Sequence, residues 1–253
     1  MVLKNLIGAS SLAVLSCFWC ISEWSTAINE TIPIHNGFAV LELFTSEGCS
    51  SCPPADELMG EIENQYKNEP VYVLAYHVDY WNNLGWKDQF SKPEYSQKQQ
   101  EYSRTLRSQV YTPQLVVNGK KEFVGSNRNA VEQAIQTALL SSNNSKIDLS
   151  AEVVGDEINV NFKTQGKNSS RELLITLVEK KSESNVKRGE NEGRHLVHWQ
   201  IVHQQNRISL ENSAEGKTSF KLPANFNNND WEIIGMIQNV KSGEIFGAAK
   251  AGL

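Results

Sequence analysis

Cysteine is scarce in this chain: four residues among 253, at positions 17, 20, 49 and 52. The first two lie inside an apolar N-terminal run, so removal of that run leaves only Cys49 and Cys52. One close pair excludes a small scaffold stapled by several bridges. A crosslink across so short a loop also removes little chain entropy, which turns the reading towards redox chemistry or metal binding. A strong excess of one charge is lacking too. The 24 Lys and Arg oppose 29 Asp and Glu, a net charge of -5, so no nucleic-acid or anionic-membrane surface is implied. After the N-terminal run, no stretch is apolar enough to cross a bilayer as a helix of about 20 residues. There is no internal repeat. Tyrosine is absent from the second half: all seven lie between Tyr66 and Tyr111.

Residues 1–27 read as a secretory signal. Lys4 supplies the positive start, Leu6 to Ile21 is apolar apart from small residues, and Ser25-Thr26-Ala27 fits a cleavage site. The rival reading is a retained membrane anchor, for which the run is short. A lipidated Cys17 is disfavoured by the Phe18-Trp19 that would follow it. Cleavage near Ala27 places the mature chain in the bacterial periplasm or outside the cell, with no membrane span. Its charge stays at -5, because Lys4 and Glu23 leave together. The matching gap between Cys17 and Cys20 then counts as coincidence. Sequons at Asn29, Asn143 and Asn168 read as chance matches.

Phe38 to Phe44 is nearly all apolar, the pattern of a central parallel strand buried on both faces. Pro53 to Tyr66 places Ala55, Leu58, Ile62 and Tyr66 on one helical face. Val71 to His77 is a second buried strand, completing a βαβ unit. An aromatic, irregular stretch with Tyr80, Trp81, Trp86 and Phe90 follows, then a polar helix from Pro93 to Ser108. A strand over 110–117, interrupted by Pro113, turns at Asn118-Gly119 into a return strand over 121–124. A helix over 129–140 ends this part. Beyond a polar linker at 141–146, short strands are predicted at 147–154, 158–162, 173–178, 196–202, 208–210, 219–222, 231–237 and 245–248. Many short strands at regular spacing suggest a β-sandwich.

The order strand, CxxC, helix, strand, helix, X-Pro strand, hairpin and helix is that of a thioredoxin-like domain. The expected fold is therefore an α/β thioredoxin-like domain over 34–143, with an aromatic and helical insertion at 79–109, followed by an all-β sandwich-like domain over 146–253. Cys49-Ser50-Ser51-Cys52 falls at the strand-to-helix junction, where a helix start can stabilise a thiolate and the second thiol can resolve a mixed disulfide. Thr112-Pro113 begins a sheet strand, where proline removes a ladder hydrogen bond. By fold analogy that bond is expected to be cis, beside the cysteines, freeing the Thr112 backbone for a substrate strand. Glu42, in a strand that should be buried, is a candidate proton acceptor for Cys52. A structural pair with a Lys or Arg is the equal alternative.

These motifs carry a resemblance. Thr45 to Asp56 (TSEGCSSCPPAD), His77-Val78-Asp79-Tyr80-Trp81 with Gly85-Trp86, and Tyr111-Thr112-Pro113-Gln114 resemble the secreted bacterial thioredoxin-like proteins grouped as domain of unknown function 1223. The likeness runs from about Phe38 to the C-terminus and implies a fold and a compartment rather than a substrate. The resemblance to thioredoxins proper is looser, since the Trp before the first cysteine and the Gly-Pro between the two are missing.

The predicted activity is thiol–disulfide exchange on exported proteins or small thiols, recycled by an unknown redox partner. Cys49 would attack and Cys52 resolve, while Pro113 and Thr112 hold the substrate, and Tyr80, Trp81 and Trp86 line a groove. No cofactor is expected beyond the Cys49–Cys52 disulfide. The rival is a copper or zinc module using Cys49, Cys52 and His77; a third reading is a non-catalytic interaction protein. Pro53 disfavours helical geometry at Cys52. Glu47, Asp56 and Glu57 flank the pair with no Lys or Arg between Ser46 and Tyr66, so Cys49 should be only modestly acidified. His195, His198 and His203 are not expected to converge on a metal, because odd separations along a strand switch faces.

Overall fold

A computed structural model describes residues 36–253 apart from 143, 144, 168, 212 and 225. The signal sequence, Cys17, Cys20 and the sequon asparagines at 29, 143 and 168 lie outside the described residues. Strand β1 (Ala39–Thr45) is buried along its whole length. It pairs in parallel with β2 (Val71–His77) and antiparallel with β3 (Gln114–Val117), which turns into β4 (Lys121–Val124). The alternation of β1 sorts its side chains between two cores. Leu41 and Leu43 face helices α1 (Pro53–Gln65) and α3 (Arg128–Leu139). Val40 and Phe44 join Tyr95 and Tyr102 of α2 (Pro93–Leu106) on the other side. A single-turn 3₁₀ helix at Tyr80–Leu84 fills part of the stretch expected to be irregular.

The second half departs from the expected separate sandwich. Strands β7 (Arg171–Asn185), β8 (His195–Ser209), β10 (Trp231–Asn239) and β11 (Ile245–Gly252) continue the first half's sheet, in the order β11-β10-β7-β8-β2-β1-β3-β4. The seam is parallel, with Ala75 of β2 opposite Ile201 of β8. Its physical reason is visible in β2: the strand is buried, and the backbone N–H and C=O groups of a buried edge need hydrogen-bond partners. Strands β5 (Lys146–Val154), β6 (Glu157–Gln165) and β9 (Glu215–Lys221) form a separate antiparallel sheet. Its Ile147, Ile158, Val160, Phe162 and Phe220 pack on Leu173, Ile175, Leu177 and Ile233 of the large sheet. Two β layers do face each other, but the larger is shared with the CxxC half. Residue 145 does not divide the sheet, and the described residues fall within one compact unit.

Strand β8 also absorbs the short strand expected at 208–210. A bulge opposite Leu177 and Val178 shifts its register. Side chains of α2 and the residue before it take up the carbonyls there: Tyr95 Oη donates to Val202 O at 2.9 Å, and Lys92 Nζ to His203 O. A further tie joins the halves at the turns, where Ile245 N donates to Asn118 O at 3.0 Å. No helix among the described residues is long and apolar enough to cross a membrane.

The β7–β8 hairpin runs past the sheet and lies on α1. Trp199 is packed so closely that a Cβ at Gly60 would come within 2.5 Å of its ring. Gly60→Ala should gain about 1 kcal/mol in helix propensity. Overpacking against Trp199 should cost about 1–3 kcal/mol. The expected outcome is a lower urea midpoint, measured by equilibrium unfolding; a raised midpoint would show that the ring yields freely.

Candidate functional site

The turn between β1 and α1 is held by short backbone bonds. Cys49 N donates to Ser46 O at 3.1 Å and Cys52 N to Cys49 O at 3.2 Å. The helix starts at Pro53 with Cys52 as its cap. The cap is nevertheless helical in its own backbone (φ -78°, ψ -37°), against the preference of a residue before proline. Its carbonyl thereby accepts from Ala55 N at 2.8 Å and Asp56 N at 3.2 Å. Cys49 and Cys52 form a disulfide, with their Cα atoms 5.4 Å apart. Both cysteines are fully buried, whereas Ser50 and Ser51 are exposed.

The Thr112-Pro113 bond is cis. Ser51 connects it to the pair: its Oγ lies 3.3 Å from Cys49 Sγ and 3.4 Å from Thr112 O. Trp81 Nε1 donates to Thr112 Oγ1 at 2.9 Å, fixing the aromatic insertion against the same loop. Tyr80 Oη donates to Gln99 Oε1 at 3.2 Å, and Gln99 Nε2 to Tyr111 O at 2.7 Å. Tyr80 is 37% exposed and stands beside Trp81. Trp86 Nε1 reaches the other flank of the turn, donating to Glu47 Oε2 at 2.6 Å. The structure thus gathers Cys49, Cys52, Thr112, Pro113, Trp81 and Trp86 around one turn.

Glu42 and His77 are placed elsewhere. Glu42 lies on the α2 side of β1, where Lys98 Nζ is 3.1 Å from Oε1 and the Tyr102 hydroxyl donates to Oε2. The pair with a lysine expected as one reading of Glu42 is present. His77 is buried with Nδ1 2.7 Å from Asp88 Oδ2. Asp88 also accepts from Glu47 N at 2.8 Å and Phe90 N at 2.9 Å. Burial works to raise its carboxyl, but His77 and these amides win and hold it below the ordinary carboxylate range. Among the described residues, no three His, Cys, Asp or Glu side chains are grouped to hold a metal ion. His77, the third residue of the metal reading, is engaged with Asp88.

The acids beside the pair do have a cation, supplied from far along the chain. His198 of β8 is buried with Nε2 3.6 Å from Glu47 Oε1 and Nδ1 3.5 Å from Asp56 Oδ2. Burial opposes its charge, but Asp56 and Glu47 outweigh it and push the imidazole up to about 10. The missing Lys and Arg near the cysteines are thus answered by a protonated histidine. The Phe90 ring meets both His198 and His203, but their polar partners differ: His203 Nε2 lies 2.7 Å from Glu179 Oε2. His195 remains apart, exposed beside Glu183.

Two further residues at the turn went unread in the sequence. Glu190 and Asn191, at the tip of the β7–β8 hairpin, bond Ser50 and the backbone around Cys49. Nothing in their local spacing marks them, because only the shared sheet brings the tip to the turn.

Because His198 is held above its unfolded value of 6.5, its stabilisation is complete below about 6.5 and is lost as pH rises through about 10. The melting temperature should therefore fall from about pH 7 to about pH 10. His198→Gln should melt several degrees lower at neutral pH and flatten that slope. Thermal unfolding across the range checks this; an equal slope in the variant would contradict it.

The geometry agrees with what known proteins share with this chain. A thioredoxin of Methanocaldococcus jannaschii is 31% identical over 100 residues, which cover 39% of this chain and 94% of the thioredoxin. A solved structure of an Agrobacterium tumefaciens protein aligns with a TM-score of 0.63 at 26% identity, covering 84% of this chain and 92% of that one. Residues 40–238 match the family described as "Protein of unknown function (DUF1223)", which takes in the CxxC turn, the cis proline and the β7–β8 hairpin. The chain belongs to the DUF1223 family and carries within it a thioredoxin-like α/β unit.

Proposed function

We propose that the protein is an exported thiol–disulfide oxidoreductase acting through Cys49 and Cys52. The observation that carries this reading is the disulfide at the start of α1, joined through Ser51 to the backbone before a cis proline. A nucleophilic thiol needs amide donors and a helix start nearby, and a substrate strand needs free backbone groups beside it. Thr112 offers its carbonyl at that place once Ser51 turns away. Residues 1–27 supply the export signal, so the partners are exported proteins or small thiols, and no cofactor is required beyond the disulfide itself.

In the reducing direction, the Cys49 thiolate attacks a substrate disulfide. One substrate sulfur leaves as a thiolate and takes a proton, and a mixed disulfide forms. Cys52 then attacks Cys49 Sγ, closing the Cys49–Cys52 bond and releasing the second substrate thiol. Two electrons pass from the pair to the substrate, and a dithiol reductant restores the pair. Oxidation of a substrate dithiol is the same sequence reversed. Thr112 and Pro113 hold the substrate backbone, with Trp81 fixing Thr112 in position. The Trp86 ring braces Glu47 at the start of the turn.

The Cys52→Ala variant leaves the attacking thiol without its resolving partner. It should accumulate mixed disulfides with exported proteins, visible on non-reducing gels and dispersed by dithiothreitol. Cys49→Ala should trap nothing. Reduction of a protein disulfide such as that of insulin should fall by at least about a hundredfold in either variant. Absence of any mixed disulfide with Cys52→Ala, together with undiminished insulin reduction, would remove this function.

A further inference from the structure

The tip of the β7–β8 hairpin, residues 186–194, is built onto the CxxC turn. It closes through Gly193 N to Val186 O at 2.9 Å and turns at Gly189 and Gly193, whose φ values of +80° and +77° favour glycine. Asn191 is its anchor. The side chain is fully buried, and Nδ2 donates at 2.9 Å to both Glu47 O and Cys49 O. Arg194 Nη1 holds Asn191 Oδ1 at 2.9 Å, fixing the amide's orientation. The neighbouring carboxylate, Glu190, then accepts from Ser50 N at 3.1 Å and from Ser50 Oγ at 2.7 Å through the same oxygen.

That placement bears on the reacting sulfur. Amide donors in the turn before a helix stabilise a thiolate, and nearby negative charge opposes one. Glu190 does both unfavourable things to Cys49. It takes the donors of the adjacent residue, and it sets a full negative charge beside the turn. The Ser50 hydroxyl and amide hold the Glu190 carboxyl below its ordinary range, so it stays charged wherever exchange would run. His198 does not cancel this charge, being engaged with Glu47 and Asp56.

We propose that Glu190 is a positioning residue which, through Ser50, makes the Cys49 thiol less acidic and the Cys49–Cys52 pair less oxidising than the bare turn would be. This rests on the redox reading above and adds to it the group that tunes the pair. Reduction by a dithiol breaks the Cys49–Cys52 bond and closes the reductant's own disulfide, and two electrons enter the pair. Cys49 then keeps its charge or takes a proton, and Glu190 favours the proton. The coupling is reciprocal. A thiolate at Cys49 weakens the closed tip by the same factor by which the closed tip weakens the thiolate.

The test compares wild type, Glu190→Gln and Glu190→Asp. Glutamine keeps an acceptor oxygen and the side chain's length but removes the charge; aspartate keeps the charge. Ultraviolet thiolate absorbance against pH, in the Cys52→Ala background, reads Cys49 alone. Equilibration of the intact pair with a dithiothreitol buffer reads the potential. Glu190→Gln should shift thiolate formation about three- to tenfold towards lower pH. The disulfide should become easier to reduce by the same factor, about 15–30 mV. Both shifts should shrink at high salt, and Glu190→Asp should return towards wild type. Trypsin should cut after Lys187 and Arg188, both exposed, faster in reduced than in oxidised protein, and Glu190→Gln should narrow that difference. Asn191→Ala, which frees the anchor, should shift the potential in the same direction as Glu190→Gln. Unchanged thiolate titration and potential in Glu190→Gln overturn the proposal. Neither measurement needs a physiological substrate, so it stands or falls separately from the trapping experiment.

Discussion

The His198 imidazole, buried between two carboxylates, holds the CxxC turn to the rest of the molecule. His198 comes from the second half of the chain; Glu47 and Asp56 bracket the cysteines in the first. Taking such ions from water costs several kcal/mol each, and the arrangement survives only while all three are present. It gives a reason for the length of β7 and β8, 15 residues each, which overshoot the sheet to set His198 and Trp199 against α1. A second buried pair, Lys98 with Glu42, works on the opposite face of β1 and anchors α2. The two buried ion clusters thus tie the first half to different elements, one to β8 and one to α2.

The local grammar of the first half was open to reading. An all-apolar β1, a CxxC before two prolines, a second apolar strand, an X-Pro strand start and an Asn-Gly turn each state their structure within a few residues. The secondary elements of the second half were equally visible as alternating strands. Their assembly was not. That the second edge of β8 pairs with β2 depends on contacts more than a hundred residues apart, and hydrophobic periodicity carries no partner. The same limit hid Glu190 and Asn191. Glu42 shows a different limit. Its burial is legible in the sequence, but only the structure says which face of β1 carries it and that Lys98 waits there. Strand β8 is irregular between His198 and His203, with Gln200 at a φ of +55° and a register shift opposite Leu177 and Val178, and neither departure is written in the spacing of the histidines.

Function and architecture meet at the hairpin. A thioredoxin-like unit supplies the disulfide, the helix start and the cis proline, and these explain why exchange chemistry is the reading that fits. The β7–β8 tip then closes over the same turn with an amide anchor and a carboxylate. The two halves contribute differently. One presents the sulfurs, and the other places Glu190, Asn191 and His198 around them.

The parallel seam between β2 and β8 carries a consequence for how the chain can be cut. A fragment ending near residue 143 would keep every residue of the thioredoxin-like unit, yet would leave one long edge of β2 bare. That edge is apolar, and it has no bulge, proline or inward charge to blunt it. Such edges recruit strands from other molecules. The second half therefore guards the first against self-association, and the small unit that sequence comparison picks out is not one that can be lifted free unprotected.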